Sequence, residues 1–124
     1  MAFHRVEIRL QRSIDDPPEN APEYQAELQE INTAFHAEGI AFNQTAIAFD
    51  SADALGYPLG EFLITLTQGA LPVVSGVVGA WIQARYGRKV RIKSGEIEVE
   101  AATVEEVEKL LETIKTLEDK GDAR

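Results

Sequence analysis

The stretch Lys89–Ala101 reads Lys-Val-Arg-Ile-Lys-Ser-Gly-Glu-Ile-Glu-Val-Glu-Ala. Two runs of strict polar–apolar alternation flank a Ser-Gly pair, the pattern of two half-buried strands joined by a tight turn. With Ser94 and Gly95 as the loop, Lys93 faces Glu96, Arg91 faces Glu98 and Lys89 faces Glu100, all on one side. Val90, Ile92, Ile97 and Val99 then form the side directed at a core. A hairpin of this kind needs a further apolar layer to be stable, so the flanking sequence should supply helices.

It does so on both sides. Downstream, Thr103 and Glu106 make a capping box that opens a helix with Val104, Val107, Leu110, Leu111, Ile114 and Leu117 on its inner face. Upstream, Pro72 opens a helix whose Val74, Val77, Val78, Trp81 and Ile82 share a face, ended by Arg85 and Gly87. That helix carries small residues at i, i+4 spacing, Ser75 with Gly79 and Gly76 with Ala80. Two mid-helix glycines cost about 1 kcal/mol each relative to alanine, so a closely packed neighbour is expected there.

Towards the N-terminus the signals are mixed. Glu61–Gln68 has no decisive period and reads as either strand or helix. Asp50–Gly60, punctuated by Gly56, Pro58 and Gly60, reads as a loop. Ile40–Phe49 is an alanine-weakened strand. Before it, Pro22 and Glu23 open a helix with Tyr24, Leu28, Ile31 and Phe35 in one stripe and Gly39 as its stop. Asp15–Pro18 is a turn. His4–Leu10 alternates Val6, Ile8 and Leu10 against Arg5, Glu7 and Arg9, a first strand. The order β, α, β, an ambiguous element, α, β, β, α implies an α+β two-layer sandwich, a mainly antiparallel sheet with helices on one face. One domain over residues 1–120 with a frayed 121–124 tail fits this length.

Charge narrows the function classes. The chain of 124 residues has 12 Lys plus Arg and 21 Asp plus Glu, a formal charge of −9. No Lys or Arg occurs from Ser13 through Ala84, so nucleic-acid binding by phosphate neutralisation is not expected. There is no cysteine, which excludes disulfides, thiolate metal sites and thiol nucleophiles. The N-terminus lacks the order of a secretory signal, and a cytoplasmic location is the expectation. Phe62–Ile82 is free of charge for 21 residues with a basic flank, so a membrane-anchored component is an alternative. The Gly69 to Pro72 interruption argues instead for two elements.

Catalytic candidates are sparse. His4 and His36 have no partner at a ligating or triad spacing, and the ordinary structural role is the simpler one. Asp50, Asp53 and Glu61 lack the alternation of a calcium loop, and Ser75 lacks a nucleophile elbow. No enzymatic activity, metal or cofactor is expected. More informative are Glu23, Glu27 and Glu30, at i, i+4 and i+7 beside the apolar stripe of their helix. Like charges at this spacing repel by about 0.2–0.5 kcal/mol per pair, with no cation in the helix to offset them. They form either a solubilising face or a docking face for a basic protein partner.

The segments Leu59-Gly-Glu-Phe-Leu, Gly69-Ala-Leu, Val77-Val-Gly-Ala-Trp81-Ile-Gln-Ala-Arg85, Val90-Arg-Ile, Gly95-Glu-Ile-Glu-Val-Glu100 and Val107–Leu111, in this order, resemble the bacterial effector-associated constant component family. The likeness spans about residues 59–117. Gln83 and Ala84 depart from the denser run of arginines in that family's pattern. The resemblance implies a small non-catalytic adaptor or regulatory component encoded beside effectors of bacterial conflict systems. Under it Ser75, Gly76, Gly79, Ala80, Trp81 and Gly95 are a structural signature rather than a site. An acidic immunity or antitoxin-type protein that masks a basic toxin surface is the competing expectation, and self-association through the small-residue helix or a sheet edge is a further one.

Overall fold

The structure, a computed structural model, describes residues 4–47 and 56–122. Eight elements follow in the order β1 (His4–Gln11), α1 (Pro22–Ala37), β2 (Phe42–Ile47), β3 (Tyr57–Leu66), α2 (Ala70–Gln83), β4 (Lys89–Ser94), β5 (Ile97–Ala101) and α3 (Val104–Asp122). The strands form one antiparallel sheet in the order β2-β3-β1-β4-β5, and three helices pack on it. This is the α+β sandwich expected from the alternation of periods.

The alternation of β1 explains why it is central. Val6 and Ile8 are fully buried, and in register Ile8 lies between Phe62 of β3 and Ile92 of β4. Each such side chain contributes about 1.5–3 kcal/mol on burial. The opposite face of the sheet carries the charges, with Arg9 on Glu7 at 3.0 Å and Arg91 on Glu98 at 3.2 Å. α1 buries Tyr24, Leu28, Ile31 and Phe35, and Phe35 meets Phe62 edge-on at 5.6 Å. Its stop is a Schellman turn: Gly39 adopts φ +71°, its N–H donates to His36 and that of Ile40 to Phe35.

Several sequence expectations are corrected. Residues 57–60, read as loop, belong to β3, which resolves the ambiguous Glu61–Gln68 run as strand through Leu66. Pro58 is tolerated because it lies beyond the part of β3 paired with β1 and next to an irregularity opposite Gln44 and Ala46. α2 starts two residues before Pro72, with the Thr67 hydroxyl accepting from the Ala70 N–H at 3.1 Å; Pro72 still falls in the first turn, where its missing donor costs nothing. Phe49, Asp50 and Asp53 lie outside the described residues.

The hairpin is offset from its expected register. Lys93 faces Glu98 and Arg91 faces Glu100, so the loop is Gly95–Glu96. Gly95 has φ +59°, at the first loop position, which a type II′ turn reserves for glycine. The face assignment survives because the shift preserves parity, and Arg91–Glu98 and Lys89–Glu100 persist as diagonal contacts of 3.2 and 3.6 Å. What fails is the burial of β5: Val90 and Ile92 are inside, but Ile97 and Val99 are 38% and 42% exposed, because β5 is the edge.

The small residues of α2 serve a helix contact. A Cβ on Gly79 would come within 2.3 Å of Val104 Cγ2, so Gly79 lets α3 close on α2. Gly76 has no such neighbour within 4 Å, and nothing in the structure explains it. Thr103 caps α3 as expected, its Oγ1 accepting from Glu106 N at 3.1 Å, while Glu106 reaches back one residue further than a capping box requires and accepts from the Ala102 N–H at 2.8 Å. The charge-free run Phe62–Ile82 is divided between β3 and α2, and no helix among the described residues is long and apolar enough to cross a membrane.

Candidate docking surface

At one end of the sheet the turn after β1 stacks on the loop between α2 and β4, and a buried arginine ties them together. Arg88 occupies the inward parity of β4, two residues before Val90, and its side chain is fully buried. An uncompensated guanidinium there would be prohibitive, and every part of it is engaged. Nε and Nη2 donate to Asp16 at 3.1 and 2.7 Å, a fork-to-fork pair. Nη1 donates to the Trp81 carbonyl at 2.9 Å, Nη2 also reaches Glu27 at 2.8 Å, and the guanidinium lies 4.3 Å from the Trp81 ring centroid.

Asp16 is the hub. Its carboxylate also accepts from the Ser13 N–H at 2.8 Å and pairs with Arg85 at 3.0 Å. Burial raises the Asp16 pKa, but the hydrogen bonds from Arg88 and Ser13 and the charges of Arg88 and Arg85 outweigh it, and the net shift is downward. Arg88 is likewise pushed down by burial and, more strongly, up by Asp16 and Glu27. Asp16 and Arg88 thus each favour the charged form of the other.

This frame ties together the backbone segments that carry two outward-facing side chains. Arg85 Nη1 donates to the Asp15 carbonyl at 3.1 Å, and Gly87, at φ +92°, sits so close to Ser13 that a Cβ would approach Ser13 Cβ to 3.0 Å. Between these anchor points stand Ile14, 98% exposed, and Tyr86, 95% exposed. Scattered surface hydrophobes are ordinary, but these two stand on adjoining, clamped segments. From the same end a groove of about 280 Å³ runs between α1 and α2, floored by Ile31, Val77 and Trp81, with Ala34, Ala80 and Ala84 opening its walls and Glu27 and Glu30 at its rim. On the other side of Tyr86 a hollow of about 550 Å³ reaches Ile82 and Thr103.

The three glutamates read from the sequence do not act alike. Glu23 and Glu30 are exposed and make no ion pair among the described residues. Glu27 is turned towards Arg88, so the expected row of free carboxylates is interrupted at its centre, and the cation that offsets it comes from outside the helix. Of the signature residues, Trp81 forms the platform for Arg88, Ala80 lines the groove, Gly79 seats α3, Ser75 is buried and Gly95 makes the turn. His36 lies on α1 against the Phe42 ring at 5.0 Å, and His4 begins β1. No group of three acidic or histidine side chains suited to a metal occurs among the described residues. Sequence reasoning missed Arg88, Asp16, Ile14 and Tyr86. For Arg88 a signal existed, since the alternation of β4 extended back by two residues puts it on the core side.

Comparison with protein-family profiles, with curated proteins and with solved structures returns no match.

Proposed function

We propose that this chain is a non-enzymatic protein-interaction module, an adaptor or regulatory component that docks an effector protein, in keeping with its resemblance to the effector-associated constant components. The observation that carries the reading is the pair Ile14 and Tyr86, displayed almost completely on two turns that a buried ion cluster links. Aromatic and large aliphatic anchors on preorganised backbone are what binding hot spots are made of. The adjoining groove, apolar and small-walled inside with Glu30 at its rim, suits an amphipathic helix with basic flanks.

The reading is tested by measuring the affinity of Ile14→Asp and Tyr86→Asp proteins for the effector encoded beside the chain. Loss of a hot-spot side chain costs about 2 kcal/mol or more, roughly 30-fold each; unchanged affinity in both variants would reject it. Glu23 and Glu30, both without an ion pair among the described residues, favour the immunity-protein alternative, in which a basic toxin surface is masked. That mechanism predicts affinity that collapses with salt and on Glu23→Lys with Glu30→Lys, while the Ile14 and Tyr86 variants bind normally.

A further inference from the structure

The outer edge of β5 is a second surface, separate from the Ile14–Tyr86 end. β5 pairs with β4 on its inner side and is terminal in the sheet, so among the described residues its alternate outward backbone N–H and C=O groups meet no strand. Natural edge strands are blunted by shortness, charged side chains, proline, a bulge or a covering element. β5 is regular, without proline or bulge, and is blunted by its five-residue length and its glutamates, while Ile97 and Val99 are 38% and 42% exposed. On the helix side, Val99 opens into a hollow of about 360 Å³ walled by Leu110, Lys109 and Thr113 of α3.

We infer that this edge receives a strand from a protein partner, a segment that alternates apolar with Lys or Arg residues, by β-strand addition. Charge selects the occupant. Glu98 and Glu100 project from the open face of β5, where they already share Arg91 and Lys89 of β4 on the inner side, and Glu96 beside them makes no ion pair among the described residues. A strand laid on the edge with its apolar side over Val99 and Leu110 directs its other residues at these carboxylates. Basic residues meet them favourably, and acidic ones are repelled. The chemistry is already realised on the inner side, where Lys-Val-Arg-Ile-Lys of β4 fills the same role.

A second copy of β5 is a poor occupant. In an antiparallel two-fold pairing that keeps the apolar residues on the helix side, opposed residues share a face, so glutamate always falls opposite glutamate. Like charges directly opposed destabilise a sheet, and the edge is thereby protected against self-pairing while open to a basic strand.

The test is a titration of the intact chain, followed by backbone amide NMR, with a short peptide alternating valine and lysine. Shifts are expected at Ile97–Ala101 and around Leu110. A valine–glutamate peptide should bind roughly tenfold more weakly or worse. N-methylation of one alternate set of peptide residues should abolish binding, and of the other set should not, because only one set donates to the edge. Val99→Lys, at an exposed position, should weaken binding to a similar extent. No shift in β5 at about 1 mM peptide, equal binding of the glutamate peptide, equal effects of the two N-methylations, or shifts confined to Ile14, Tyr86 and the α1–α2 groove would each overturn the assignment. Failure at β5 leaves the Ile14–Tyr86 reading standing, since that reading is decided separately by the effector affinity of the Ile14→Asp and Tyr86→Asp proteins.

Discussion

Replacing Asp16 by Asn removes the charge at the hub while keeping its size. In the native protein that carboxylate takes two hydrogen bonds from Arg88, one from the Ser13 N–H and an ion pair from Arg85. After the change, Arg88 keeps only Glu27 as a counter-charge, and its guanidinium has no exposure to water. Breaking a buried pair by removing one partner costs about 3–5 kcal/mol. Against a domain stability of about 5–15 kcal/mol that is a large fraction, and with a urea slope of about 1–3 kcal/mol/M the midpoint should fall by roughly 2 M. Glu27→Gln is the control. The Glu27 side chain is 29% exposed, so solvent screens it and Asp16 remains beside Arg88; about 1–2 kcal/mol is expected. Equilibrium urea unfolding of the three proteins measures both values. An Asp16→Asn protein within about 1 kcal/mol of wild type, or a Glu27→Gln loss as large as that of Asp16→Asn, would refute the assignment of Asp16 as the hub.

Other outcomes follow from single contacts. Gly79→Ala drives a methyl into Val104 and should destabilise by about 1–3 kcal/mol, whereas Gly76→Ala, with open space around it, should stabilise by up to about 1 kcal/mol; thermal unfolding of the pair separates them. The lowered Asp16 pKa implies stability that is fully present above the unfolded value of about 3.9 and is lost as pH falls through the folded value. The acid limb of a stability–pH profile should therefore flatten in Asp16→Asn. Burial, with the charges of Glu19 and Asp16, pushes Tyr24 upward, so its contribution is whole below about pH 10 and is lost as pH rises further. Its hydroxyl has no hydrogen-bond partner among the described residues, so Tyr24→Phe should cost little at neutral pH and should remove this alkaline loss, which the same profile reads.

The fold was legible where periodicity and burial coincide. The Tyr24–Phe35 stripe, the Thr103 cap and the alternation of β1 each have a local cause, and each forms where the pattern puts it. Register was less legible, because Ser94–Gly95 and Gly95–Glu96 give the same parity and the choice depends on which loop position needs positive φ. Burial of Ile97 and Val99 was misjudged for a non-local reason: alternation tells which face a residue takes, and strand order tells whether anything covers it. The ion cluster is non-local in the same way. Asp16 and Arg88 lie 72 residues apart, and only the antiparallel pairing of β1 with β4 brings the two turns together. Glu27 carried its charge openly in the sequence, yet its partner was hidden for that reason. Exposure of Ile14 and Tyr86 has no sequence signature, since an apolar residue in a turn is equally suited to tucking inward.

The central claim, that the clamped end displaying Ile14 and Tyr86 docks a protein partner, is tested most directly by isothermal titration of the effector encoded beside this chain with wild type and the double variant Ile14→Asp/Tyr86→Asp. Both side chains are almost wholly exposed, so unfolding stability should stay within about 0.5 kcal/mol of wild type. Under docking at this end, affinity falls by roughly 30-fold or more while the fold is unchanged. Equal affinity of a folded double variant would contradict it.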